Sequence, residues 1–216
     1  MERRNLADTQ TTKPQHCIGV LLAGGRSSRM GEQDKAFCQL GQQTLIATVI
    51  NKIAPQVDGL VINTNSDNEA YRVLGLPVVK DCVAGYLGPL VGILSALDWI
   101  HEHRPQCQWL ASFSVDTPFI TPDVVATLFA AVRREKTLLA TVRSGQRSHP
   151  VIGLWSLQLR DDLREQLLRQ QLRKVDKWTQ RHGIAIADFD TNPVDPFFNI
   201  NSPADLETAR KMAELE

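Results

Sequence analysis

Leu22-Ala23-Gly24-Gly25-Arg26-Ser27-Ser28-Arg29-Met30-Gly31, followed shortly by Asp34-Lys35, is the stretch that decides how this chain is read. The apolar run Ile18 to Ala23 delivers it from what reads as a buried strand. Small residues let backbone amides approach an anion closely, and Arg26, Arg29 and Lys35 can supply charge to a triphosphate. The spacing matches neither the GxxxxGK[ST] of a P-loop nor the GxGxxG of a dinucleotide fold. A lone Gly-Gly pair would be a tight turn beside surface arginines. Gly24, Gly25, Arg29, Gly31 and Lys35 together, at fixed places after one strand, read as a phosphate cradle.

Outward from that loop, short β-branched or apolar runs alternate with longer stretches of helical period, the pattern of a layered α/β domain with a mostly parallel central sheet. Strands are expected near Cys17 to Leu22, Gly59 to Asn63, Pro77 to Val79, Trp109 to Val115, Leu138 to Val142, Val151 to Trp155 and Ile184 to Asp188. Helices are expected over Thr44 to Ala54, Glu69 to Leu74, Pro89 to His103, Pro122 to Arg134, Leu157 to Arg181 with a break, and Pro203 to Ala213. Thr121-Pro122 and Ser202-Pro203 each put a hydroxyl at a helix N-cap and proline at the first helical position.

A chain of 216 residues, 43% of them hydrophobic, is long enough for one full core. Residues 1–15 read as a disordered polar lead-in and 16–216 as the single folded domain. Lys plus Arg and Asp plus Glu both total 24, so no global field invites nucleic acid or an anionic membrane, and a small-molecule substrate fits better. Cys17, Cys38, Cys82 and Cys107 lie far apart, without the spacing of a zinc site, and read as reduced. No apolar run approaches the ~20 residues that span a bilayer. The expectation is a cytoplasmic protein.

Asp116, in Val115-Asp116-Thr117-Pro118-Phe119, follows an apolar strand, where open α/β sheets bind ligands. A carboxylate there suits Mg²⁺ or, equally, caps the Pro118 turn. His149, in Ser148-His149-Pro150, reads as structural. In Phe198-Asn199-Ile200-Asn201-Ser202-Pro203, the two asparagines alternate with apolar neighbours, so an extended segment places both amides on one face; asparagine before a helix also serves as a cap.

The loop LAGGRSSRMGEQDK resembles the signature of nucleotidyltransferases with a glycosyltransferase-A-like, Rossmann-like three-layer fold, and within them the molybdenum cofactor guanylyltransferases. The D-x-P-F motif at Asp116, Gly88-Pro89-Leu90 and the Phe198 to Leu206 segment carry the likeness further, across about Ile18 to Ala213. Related cytidylyltransferases more often begin LAAG, so Gly24-Gly25 leans towards a purine nucleotide. The resemblance implies nucleotide contacts at Leu22, Ala23, Gly24, Gly25, Lys35, Asn63, Asp81 and Asp116. Asp116 would bind Mg²⁺, with Lys35 and Arg29 stabilising phosphate charge. Asn199, Asn201 and Arg173 would contact the acceptor.

The reaction so implied transfers GMP from GTP to the terminal phosphate of molybdopterin or Mo-molybdopterin, releasing pyrophosphate. An acceptor phosphate is already anionic at neutral pH and needs no base, so positioning and charge stabilisation suffice. Other cofactor-biosynthesis proteins and apo-molybdoenzymes would be further partners. The rival readings are a cytidylyltransferase or a sugar-phosphate nucleotidyltransferase of the same fold, and a non-catalytic nucleotide-binding module. A degenerate module should have lost the loop lysine or the metal carboxylate, and both are present.

Overall fold

A computed structural model describes residues 16–24, 34–83, 88–170, 172 and 174–214. Its centre is a seven-stranded sheet. Strand β1 (Cys17–Leu22) is buried along its whole length, as a continuous apolar run in a parallel sheet should be. The two short strands β2 (Gln39–Leu40) and β3 (Gln43–Thr44) pair only with each other. Then come β4 (Gly59–Asn63), β5 (Val78–Val79), β6 (Trp109–Ser114), β7 (Leu139–Ser144), β8 (Arg147–Ser156) and β9 (Ala185–Phe189). The order across the sheet is β5-β4-β1-β6-β8-β7-β9. Only β8 runs against its neighbours.

Among the described residues seven α-helices accompany the sheet: α1 (Leu45–Ile53), α2 (Ala70–Val73), α3 (Pro89–His103), α4 (Val124–Glu135), α5 (Arg160–Arg169), α6 (Val175–His182) and α7 (Pro203–Ala213). The two-residue period of β1 sorts them into layers. Cys17 and Leu21 face one core with Ile46, Val49 and Ile53 of α1 and Val125, Leu128 and Val132 of α4. Ile18, Val20 and Leu22 face the other, with Leu90, Ile93, Leu94 and Leu97 of α3 and Leu163, Val175 and Trp178 of α5 and α6. This is the expected three-layer α/β arrangement. A third, smaller cluster packs Cys38 and Leu40 against Phe119, Ile200, Leu206 and Ala209, which ties the approach to α7 to the β2–β3 hairpin.

Every expected strand is present, and α3 and α7 have the expected bounds. The strands around 144–147 run longer than the alternation suggested, because β7 and β8 form a hairpin that turns at Gly145, with φ +55°. The long helical stretch does break: a 3-10 turn at Leu157–Leu159 precedes α5, and α6 begins at Val175. Ser202 caps α7 by accepting from Asp205 N at 3.2 Å, as expected. At Thr121-Pro122 the expectation fails. Helix α4 starts later, at Val124, with Asp123 at its N-cap position, and Gln56 replaces a local cap: its Oε1 accepts from Val125 N at 3.1 Å while its Nε2 donates to Thr121 O at 2.9 Å. The 1–15 segment lies outside the described residues.

Candidate functional site

The register of the sheet brings three strand ends together, pairing Leu22 of β1 with Asn63 of β4 on one side and Ser114 of β6 on the other. Carboxyl ends of adjacent parallel strands are where doubly wound sheets bind ligands. The groups gathered there come from five places in the chain.

Lys35 stands on a 3-10 turn, Lys35–Phe37, whose N-cap is Asp34: Asp34 Oδ1 accepts from Ala36 N at 3.1 Å. A cap of this type fixes the direction in which the turn leaves the preceding loop. From that turn Lys35 Nζ reaches Asp116 Oδ2 at 2.8 Å and Asn201 Oδ1 at 3.3 Å. The Lys35 and Asp116 side chains are only 14% and 17% exposed, so their attraction is weakly screened by water. Ser114 Oγ donates to the other Asp116 oxygen at 2.5 Å. Ile200 N donates to the backbone oxygen of Asp116 at 2.9 Å, so the segment carrying Asn199 and Asn201 is anchored directly to the aspartate.

On the β4 side, Asn63 is 3% exposed and its Nδ2 donates both to Val79 O at 3.1 Å and to Asp81 Oδ1 at 3.0 Å. Asn65 Nδ2 holds the second Asp81 oxygen at 2.7 Å, and Asp81 N donates back to Asn65 Oδ1 at 2.9 Å. The carboxylate is thereby held by two amides on the end of the sheet. Gly92 of α3 packs against Asn63 so closely that a Cβ there would collide with Asn63 Oδ1.

Of the expected cradle, Leu22 is buried and its backbone oxygen receives Val115 N, while Ala23 N donates to Asn63 O at 2.9 Å. Both are sheet bonds. Gly24 is exposed, and a Cβ added to it would meet nothing within 4 Å. Gly25, Arg29 and Arg173 lie outside the described residues. Asn199 and Asn201 differ in surroundings: Asn201 accepts from Lys35, whereas Asn199 Oδ1 is buried without a hydrogen-bond partner. His149 is set back in the fold, with Nε2 2.8 Å from Ser144 Oγ and its ring 5.1 Å from that of Phe197. Burial, above all, pushes its pKa below the ordinary histidine value; Asp195 opposes this and Arg147 reinforces it.

Among the described residues no group of three or more His, Cys, Asp or Glu side chains could hold a metal ion. Asp116 is a lone hard carboxylate. That donor set fits Mg²⁺, which keeps water and substrate phosphates as ligands and takes only one or two carboxylates from protein, better than a metal requiring an all-protein cage. Sequence reasoning missed Ser114 and Asn65. Each lies two residues from a recognised partner, Asp116 and Asn63, and two residues is the same-face spacing of extended chain.

The family model of the MobA-like NTP transferase domain matches residues 19–184 of this chain. A molybdenum cofactor guanylyltransferase of Bradyrhizobium sp. (strain ORS 278) is 46% identical over 198 residues, covering 92% of this chain and 93% of that protein. The crystal structure of molybdopterin-guanine dinucleotide biosynthesis protein A from Archaeoglobus fulgidus superposes with a TM-score of 0.70 at 22% identity, covering 93% of this chain and all of that one. A Mycobacterium tuberculosis H37Rv protein solved in complex with manganese superposes with a TM-score of 0.64 at 18% identity, over 91% of this chain and 98% of that one. These two likenesses are of fold.

Proposed function

This chain belongs to the MobA-like NTP transferase domain family, and from that premise we propose that it transfers GMP from GTP to the terminal phosphate of molybdopterin, releasing pyrophosphate and forming molybdopterin guanine dinucleotide. The observation that carries the reading is the meeting of Lys35 and Asp116, 2.8 Å apart at the carboxyl ends of adjacent parallel strands. One cation and one carboxylate at that place suit a nucleotide and its divalent ion. Residues 16–216 act as a single nucleotidyltransferase domain in this account, and the acceptor is molybdopterin or its molybdenum-loaded form.

An oxygen of the acceptor phosphate attacks the α-phosphorus of GTP in line; the new P–O bond forms as the bond to the β-phosphate oxygen breaks, and pyrophosphate departs with the electron pair. Lys35 lies where it can bind the phosphates and offset charge that grows on them. Arg29 adds a second cation. Asn63 and Asp81 present a rigid amide–carboxylate pair for the guanosine part, and backbone at Leu22 to Gly25 lines the phosphates. Asn199, Asn201 and Arg173 would bind the acceptor. Asp116 would hold Mg²⁺, and the ion would supply charge neutralisation at the phosphates. Such catalysis by placement and electrostatics needs no protein nucleophile.

A structure of the same fold solved in complex with manganese, and a family of transferases, support a divalent ion in general, and the Asp116 carboxylate supports magnesium in particular. Among the described residues no helix is long and apolar enough to cross a membrane. Thermal shifts with GTP, CTP, ATP and UTP, each with Mg²⁺, test the nucleotide choice. A ligand that binds the folded state raises the melting temperature, and at equal concentration the tighter binder raises it more. GTP should give the largest shift; an equal or larger shift with CTP would move the protein to the cytidylyltransferases.

A further inference from the structure

Tyr71 of α2 is 1% exposed, and its hydroxyl is engaged. It donates to Asp34 Oδ2 at 2.8 Å, while Asp34 Oδ1 accepts from Ala36 N and Asp34 O accepts from Phe37 N at 2.9 Å. Asp34 therefore clamps the turn that carries Lys35 with one carboxylate oxygen and its carbonyl, and holds Tyr71 with the other carboxylate oxygen. Phe37, at the far end of the same turn, meets the Tyr71 ring edge-on, with centroids 4.9 Å apart. The N-cap and the last residue of the Lys35 turn thus grip one tyrosine from a distant part of the chain.

Burial first, and then the Asp34 carboxylate, hold the Tyr71 phenol well above its ordinary pKa, so it remains a donor throughout the pH range of phosphate chemistry.

We propose that Tyr71 is a positioning residue for guanylyl transfer, which fixes Lys35 through Asp34 and the edge-on contact with Phe37. The proposal rests on Lys35 acting on the nucleotide phosphates. A tyrosine present for packing alone would be replaceable by phenylalanine, which keeps the edge-on contact with Phe37 and removes only the hydroxyl.

The test is a double-mutant cycle of Tyr71→Phe and Lys35→Met, read as kcat and KM for GTP with Mg²⁺ and molybdopterin, and as the dissociation constant of Mg·GTP by calorimetry. Tyr71→Phe should lower kcat/KM for GTP about tenfold, the worth of one ordinary hydrogen bond, with the KM for molybdopterin unchanged. In the Lys35→Met background the same change should have no further effect on turnover or binding. Wild-type kcat/KM in Tyr71→Phe, or an equal loss in both backgrounds, would overturn the proposal while leaving the Lys35 role in place. Wild-type activity in Lys35→Met would remove that role and the proposal with it. If Tyr71→Phe fails to fold, Asp34→Ser decides in its place: serine still caps Ala36 N but is too short to reach Tyr71.

Discussion

Lys35 Nζ and Asp116 Oδ2 lie 2.8 Å apart although 81 residues separate them in the chain. The contact joins the turn behind β1 to the end of β6, and Asn201 and Ser114 complete the group by bonding one partner each. A cation and an anion held this way, with little exposure, form the electrostatic centre of the site.

Lys35→Ala and Asp116→Ala should each lower turnover with GTP, Mg²⁺ and molybdopterin by a factor of ~10² to 10³, the usual loss when one charge-stabilising group is removed. Circular dichroism should show both variants folded, since neither side chain belongs to the apolar core. Near-normal turnover in a folded variant would refute the assigned role.

Asn63→Asp places a second carboxylate against Asp81, where the amide now donates at 3.0 Å. Like charges at that distance repel, and the Val79 carbonyl keeps only one of its two donors, Thr64 N. The KM for GTP should rise by tenfold or more with a smaller change in the KM for molybdopterin, measured by steady-state kinetics. Equal changes in both would place Asn63 outside the nucleotide site.

Gly92→Ala should destabilise the protein, against the normal trend. Alanine replacing glycine inside a helix usually stabilises by ~1 kcal/mol. Here the new methyl would strike Asn63 Oδ1 and come within 2.8 Å of Leu22 Cδ2, and overpacking of a filled core costs ~1 to 3 kcal/mol. A lower melting temperature together with weaker GTP binding is the expected result, because Asn63 must shift.

The pH dependence of stability should contain a term from His149. Its folded-state pKa is depressed, so below the ordinary value of ~6.5 the unfolded chain takes up a proton that the fold resists, and stability falls as pH drops through that window. Above it the term is constant. His149→Gln should therefore lose less melting temperature than the parent between pH 7 and pH 5, and parallel curves for the two proteins would contradict the assignment.

Much of this was legible in the sequence because it depends on local pattern. The apolar run of Cys17 to Leu22 gave its strand, Pro89 and Ser202-Pro203 gave the starts of α3 and α7, and the Asp116 motif gave its place at a strand end. The α4 start was misread at Thr121-Pro122 because its cap comes from Gln56, 65 residues away from Thr121. Ser114 and Asn65 escaped notice although same-face spacing to Asp116 and Asn63 could have marked them. Tyr71 had no such signal: its link to Asp34 joins residues 37 apart in the chain, and only the packing of α2 against the Lys35 turn brings them together.

The most direct measurement is release of pyrophosphate from GTP by the full chain. It should require molybdopterin and Mg²⁺ together, should run faster with GTP than with CTP or ATP, and should largely disappear in Lys35→Ala and Asp116→Ala. Release that is indifferent to molybdopterin, prefers CTP, or survives in both variants would contradict guanylyl transfer at the Lys35–Asp116 site.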